Sequence, residues 1–128
     1  MLTRVALILL TAASLLAQTP SAAPAEQSCR RHPQLVGKCF NVRGRLSIYN
    51  GAPAARIWKI GTRRMLGVSE QRFAIPGYRN LPESLAKKLD SDTEIFADFR
   101  VCPFTPNRPG EMQMVCVESA QNVRIKTK

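Results

Sequence analysis

Four cysteines constrain this chain more than any other feature. Cys29, Cys39, Cys102 and Cys116 are spread over 128 residues, and an even number of cysteines in a short exported chain is typical of two disulfides. Zinc binding is the alternative, but no C-x-x-C pair occurs and His32 is the only histidine. We therefore expect two disulfides, no metal and no cofactor.

The first 25 residues have the layout of a secretory signal peptide. Arg4 is followed by an uncharged run from residue 5 to residue 17 and then by small residues and prolines. That run is shorter than the roughly 20 residues that a membrane-spanning helix needs, so we expect cleavage and no permanent membrane anchor. Cleavage after Ala17, Ala23 or Ala25 fits the sequence. The predicted location is periplasmic or secreted.

The remaining chain is long enough for one small domain. Residues 26–37 lack periodic hydrophobicity and are predicted to be a flexible lead-in, whereas residues 38–126 carry strand patterns. Alternation from Cys39 to Tyr49 predicts a first strand, Asn50-Gly51 indicates a hairpin turn, and two more strands are predicted over 55–60 and 65–68.

A helix is predicted next, with Asn80 as its N-cap and an apolar stripe of Leu81, Leu85 and Leu89. Two strands follow, over 95–102 and from 112 onward, with Val115, Val117, Val123 and Ile125 predicted on one face. The order β-β-β-α-β-β predicts a mainly β fold, namely a small five-stranded, OB-like Greek-key barrel.

The last two strands also suggest a disulfide pairing. In a hairpin centred on Pro109, Cys102 and Cys116 would lie opposite each other, which predicts a bond between them and a second bond between Cys29 and Cys39. Sequence alone permits three pairings.

Basic residues dominate the first half of the domain. The chain has a net charge of +10, and the segment 42–68 holds six Arg or Lys residues without one acid. With Tyr49 and Trp58 as stacking platforms, such a sheet face is typical of proteins that bind single-stranded nucleic acid. The alternative is a solvated barrel surface that aids solubility. The candidate anion-binding residues are Arg43, Arg45, Arg56, Lys59, Arg63 and Arg64.

Catalytic motifs are weak. His32 lies in the predicted lead-in beside two arginines, where a solvated loop residue is expected rather than a general base. The acidic run Asp90-Ser-Asp92-Thr-Glu94 lacks the glycine and the distal glutamate of a calcium loop, so it is interpreted as the exit of the helix. We expect no enzymatic activity.

One resemblance covers most of the chain. The run C-F-x-V-R-G-R-L-S-x-Y-N-G-x-P-x-x-R-I-W-x-x-G-T-x-R-x-L-G-V at 39–68, together with F-A-D-F-x-V-C-P at 96–103 and M-Q-M-V-C-V-E at 112–118, resembles a family of small exported proteins of Gram-negative bacteria. The resemblance implies a periplasmic or secreted setting and brings no activity or site residues with it.

Two functions are therefore expected. The first is a non-enzymatic structural or protein-interaction role in the periplasm, with an unknown protein as partner. The alternative is binding of anionic polymers or lipids, such as lipopolysaccharide, through the Arg-rich sheet face, with nucleic acid a less favoured ligand in an exported protein. We expect a monomer.

Overall fold

A computed structural model describes residues 29–68 and 72–128. The predicted signal peptide and the first residues of the lead-in lie outside this range. A 3-10 turn, Cys29–Arg31, precedes the first strand. The elements that follow are β1 (Phe40–Ile48), β2 (Ala55–Lys59), β3 (Met65–Val68), α1 (Glu83–Ala86), β4 (Thr93–Pro103) and β5 (Gln113–Thr127).

The five strands close into a barrel in the order β1-β2-β3-β5-β4, and β4 pairs with β1 to complete the circle. Every pair is antiparallel except β3 and β5, which run parallel over three residues of each strand. The prediction of a mainly β chain with five strands is confirmed. The bounds of β2 and β3 agree with the predicted strands to within one residue.

The barrel core follows from period-two alternation in the strands. Leu46 on β1, Ile57 on β2, and Ile95 and Phe99 on β4 point inward and are fully buried. Burying side chains of this size contributes about 1.5 to 3 kcal/mol each. Gly44 stands in the inward row of β1, where a Cβ would meet Ile57 Cγ2 and lie 3.0 Å from the carbonyl oxygen of residue 58.

The second half of β5 departs from its predicted pattern. Val115 and Val117 are buried as predicted, but Val123 and Ile125 are 40% and 44% exposed. The β4 and β5 ladder shifts register at two places, and Asn122 has a positive φ of 52°, so a single parity does not run through the strand. Since β3 pairs with β5 only as far as Val115, no strand covers this part of β5 from the other side within the described residues.

The helix is shorter than predicted. Only Glu83–Ala86 is α-helical, and the turns up to Leu89 close with i to i+3 hydrogen bonds. Pro82 is the N-cap and no side chain caps the helix. Asn80 is buried before it, and its backbone carbonyl oxygen accepts the Val117 N–H at 2.8 Å. The predicted apolar stripe is nevertheless used, since its first two leucines are buried in the core and the third packs against it.

Two disulfides are present, but the predicted pairing is wrong. Cys102 and Cys116 are opposite each other in the β4 and β5 ladder, as predicted, yet they are not bonded. Cys39 bonds Cys102, and Cys29 bonds Cys116. Barrel closure explains the difference, because it places β1 beside β4 with Phe40 opposite Val101, and the next position brings Cys39 opposite Cys102.

His32 is not the solvated residue that its neighbours in sequence suggest. It is 3% exposed and packs edge-on against Tyr78 and Phe104. Its Nδ1 accepts a hydrogen bond from the Gln34 N–H, so the ring proton is on Nε2, which donates to the Phe73 carbonyl oxygen at 3.0 Å. Both ring nitrogens are engaged in hydrogen bonds to the backbone, which removes His32 as a candidate general base.

Candidate anion-binding face

Cations and aromatic rings alternate in one row across the outside of the barrel. In the strand registers, Trp58 on β2 is opposite Arg45 on β1, Arg45 is opposite Phe96 on β4, and Phe96 is opposite Arg124 on β5. The inward positions of these strands are filled by the core, so these four side chains point outward. The order across four strands is aromatic, cation, aromatic, cation.

Cation–π contacts hold this row together. The guanidinium carbon of Arg45 lies 5.0 Å from the centre of the Trp58 ring, and that of Arg124 lies 5.2 Å from the centre of the Phe96 ring. Such contacts are worth about 0.5 to 1 kcal/mol at exposed sites. They fix the position of each guanidinium group relative to its ring, and a planar guanidinium can itself stack on a flat ligand group.

Arg45 is the most restrained cation of the row. Its Nη2 donates to the Tyr49 hydroxyl at 3.1 Å, and its Nε lies 3.8 Å from Glu94 Oε1, too far for a hydrogen bond. That Nε atom is buried without a hydrogen-bond partner. Arg45 is therefore fixed in position and retains an unused donor.

A second row lies next to the first along β1. Arg43 Nη1 donates to Asp98 Oδ1 at 3.0 Å, and Asn122 Nδ2 donates to the other Asp98 oxygen at 2.8 Å. The Asn122 hydrogen bond is the main cause that lowers the pKa of Asp98 below its ordinary value of 3.8, and Arg43 adds to it. Asp98 thus stays ionised and offsets part of the local positive charge.

Further basic residues flank these rows. Arg100 on β4 donates to Asn41 at 3.2 Å, and Lys126 on β5 is opposite Glu94. Arg56 on β2 lies over the Tyr49 ring at 5.2 Å and donates to the carbonyl oxygen of Pro53. We call this surface the basic face. It consists of Arg43, Arg45, Arg56, Trp58, Glu94, Phe96, Asp98, Arg100, Arg124 and Lys126.

The charge of the basic face is strongly positive. Six Arg or Lys side chains stand against the two carboxylates Glu94 and Asp98, which gives a net charge of +4. Because the strand registers place basic residues of four neighbouring strands beside one another, the cations lie together on one surface of the barrel. A positive surface with interleaved aromatics can bind phosphate or carboxylate groups and stack flat ligand groups at the same time.

The six predicted anion-binding residues divide into two groups of three. Arg43, Arg45 and Arg56 belong to the basic face. Lys59 shares the inward parity of β2 and lies at the end of the barrel opposite Gly44. Arg63 is exposed in the turn between β2 and β3, and Arg64 is hydrogen-bonded to Asn107 and to the Arg108 carbonyl oxygen in the loop between β4 and β5.

Among the basic and aromatic members of the basic face, sequence reasoning missed four. Phe96 and Arg100 have outward parity in the predicted fourth strand, so alternation identifies them as surface residues. Pairing β4 with β1 would then have placed them on the same surface as Arg43 and Arg45. Arg124 and Lys126 could be found only with the β4 and β5 register, which depends on two register shifts that no local pattern indicates.

A cleft elsewhere on the barrel is lined almost entirely by apolar side chains. The cleft has a volume of about 810 Å³ and lies between the β1 and β2 loop, the start of β5 and α1. Its lining includes Val68, Leu81, Leu89, Met112 and Met114, and Arg72 is its one charged residue among the described part of the chain. No set of convergent polar groups marks it as a site of catalysis.

Comparison with family models, with curated proteins and with solved structures finds no match. Within residues 29–68 and 72–128, no helix is long and apolar enough to cross a membrane. The same residues contain no group of three His, Cys, Asp or Glu side chains that could hold a metal ion. Two disulfides point to a location outside the cytoplasm, because cytosolic thiols are kept reduced.

Proposed function

We propose that this protein binds an anionic polymer on the basic face and acts without catalysis in the periplasm or outside the cell. The observation that carries the proposal is the alternating row of Trp58, Arg45, Phe96 and Arg124, with further cations on both sides of it. We also propose that the barrel is OB-like, since its strand order and its single parallel pair, β3 with β5, fit that topology.

The ligand that suits this face has closely spaced negative charges and flat groups that can stack. Outward residues along one strand are about 6.8 Å apart, which is twice the rise per residue, so Arg43 and Arg45 can reach successive charges of an extended polymer. The rings of Tyr49, which follows β1, and Trp58, on β2, both lie next to Arg45. Single-stranded nucleic acid and acidic polysaccharide both meet the charge requirement, and only the former supplies bases to stack.

The test is a matched pair of charge variants. In the face variant, Arg43, Arg100, Arg124 and Lys126 are changed to Gln; in the control, Arg31, Arg63, Lys87 and Lys88 are changed to Gln, so both lose the same formal charge. Binding to labelled single-stranded oligonucleotide and to heparin is measured over a range of salt concentrations. We expect the face variant alone to lose affinity, with a log-log salt slope smaller by up to about 3, since each phosphate contact contributes roughly 0.7 to 0.9.

Equal losses in the two variants would contradict the proposal, because they would show that only the net charge matters. Trp58 supplies a second readout, since it is the single tryptophan of the chain and lies in the row. Oligonucleotide that stacks on this face should shift its fluorescence, whereas heparin should not. Shifts of the same size with both polymers would remove base stacking from the proposal.

A further inference from the structure

The second half of β5 is an open sheet edge. β4 pairs with β5 from Val115 to Thr127, whereas β3 pairs with β5 only at residues 113–115. The Val117 N–H is bonded to the Asn80 carbonyl oxygen at 2.8 Å. Beyond that point, no second strand pairs with residues 119–127 among the parts of the chain that the structure describes. An edge of this length offers a row of backbone donors and acceptors to another extended chain.

A shallow cleft runs beside this edge. It has a volume of about 270 Å³ and lies between α1 and β5, where Pro82, Leu85, Ala120 and Val123 contribute apolar surface. Val123 and Ile125 are two of the four large hydrophobic residues that are exposed in the described part of the chain. Apolar side chains of an added strand would find contacts here, on the inward side of the edge.

The charge of the edge indicates what kind of strand fits. Arg124, Lys126 and Lys128 follow one another at alternate positions, and residues 119–128 contain no acid. A second copy of β5 would bring a strand of the same positive charge against this edge, which is unfavourable. A strand with carboxylates at alternate positions would instead face Arg124 and Lys126 with opposite charge.

We propose that residues 119–127 bind an extended acidic segment of a partner protein by β-strand addition. The backbone of the segment pairs with the free edge of β5 and supplies affinity. Its apolar side chains contact Leu85, Ala120 and Val123, and its carboxylates on the opposite face contact Arg124 and Lys126. This site overlaps the basic face at two cations, Arg124 at the end of its first row and Lys126, and otherwise uses the free edge of β5 and the cleft.

The experiment uses the full chain and three fluorescent peptides of alternating valine and glutamate. One peptide is unmodified, and the other two have the same sequence with N-methyl groups on alternate backbone nitrogens, one peptide for each of the two possible phases. Charge and side chains are identical, so any anion-binding surface would bind the three peptides equally. We expect N-methylation in the pairing phase to lower affinity by about 100-fold, since several backbone hydrogen bonds are lost together.

Protein variants locate the site. Val123→Asp places a negative charge in the cleft and should abolish peptide binding, whereas Ile60→Asp, at a residue with nearly the same exposure in the turn after β2, should leave it unchanged. Polymer binding should survive Val123→Asp, so failure of this proposal is distinguishable from failure of the basic face. Equal binding of the N-methylated peptides, or a concentration-dependent dimer in sedimentation that Val123→Asp dissociates, would overturn it.

Discussion

At the scale of single residues, Asp98 connects β4 to both neighbouring strands. It accepts hydrogen bonds from Asn122 on β5 and from Arg43 on β1, and its pKa is lowered. A carboxylate with a lowered pKa in the folded state stabilises the protein at pH values above its ordinary pKa. That stabilisation is lost as the pH falls through the lowered value, since protonation then removes the bonds.

We therefore expect Asp98→Asn to flatten the acid side of the stability profile. The free energy of unfolding of the unmodified protein should fall between about pH 5 and pH 2, and Asp98→Asn should remove part of this fall. The measurement is urea denaturation at a series of pH values and low salt, because Asp98 is solvent-accessible and salt screens it. Glu111→Gln, in the exposed loop before β5, is the control. Identical profiles for Asp98→Asn and the unmodified protein would contradict the assignment.

Gly44 determines how closely β1 and β2 approach. A Cβ at this position would meet Ile57 Cγ2 and would lie 3.0 Å from the carbonyl oxygen of residue 58. We expect Gly44→Ala to cost about 1 to 3 kcal/mol in the free energy of unfolding, as overpacked cores do. Urea denaturation measures this cost. Gly37→Ala is the control, because its new methyl group would make an ordinary contact of 3.5 Å with Pro103.

At the scale of elements, local pattern predicted most of the strands. Alternation in β1 and β4 correctly identified inward residues such as Leu46 and Phe99, because one face of each strand is buried along most of its length. The register of Cys102 opposite Cys116 also followed from the position of the turn. These features depend only on neighbours in sequence, which is why sequence reasoning reached them.

Elements that depend on distant contacts were not predicted correctly. The helix ends after one turn although its leucine stripe continues, and Pro82 rather than Asn80 is its N-cap, while the backbone of Asn80 is bonded to β5. The second half of β5 keeps no simple parity, because register shifts against β4 and the early end of β3 change what surrounds it. The same shifts bring Arg124 beside Phe96, so the missed half of the basic face has the same cause.

At the scale of the whole molecule, two nested disulfides connect the start of the described chain to β4 and β5. Cys39–Cys102 spans 63 residues and joins β1 to β4, while Cys29–Cys116 spans 87 residues and fixes the segment before β1 against β5. Since Cys102 and Cys116 are opposite each other, the two bonds lie side by side on adjacent strands. Removing one bond therefore leaves the other to restrict almost the same region.

Because the two disulfides are nested, their combined contribution to the free energy of unfolding is smaller than the sum of what each bond would contribute alone. With either bond intact, the other closes an additional loop of about 24 residues, the difference between the two separations. In the chain-entropy model such a loop contributes about 3 kcal/mol, whereas the first bond contributes about 4 to 5 kcal/mol. We expect Cys29→Ala with Cys116→Ala to lower the free energy of unfolding by about 3 kcal/mol, and removal of all four cysteines to exhaust the stability of a small domain.

Urea denaturation measures these losses in the variant that lacks Cys29 and Cys116 and in the variant that lacks all four cysteines. Non-reducing peptide mapping of the unmodified protein identifies the bonds. Mapping should return Cys29 with Cys116 and Cys39 with Cys102. A bond between Cys102 and Cys116 would contradict this pairing, because neither cysteine would then be free to bond Cys29 or Cys39. If the variant that lacks all four cysteines unfolds at the same urea concentration as the variant that lacks only Cys29 and Cys116, the bonds do not stabilise the fold through nested loops.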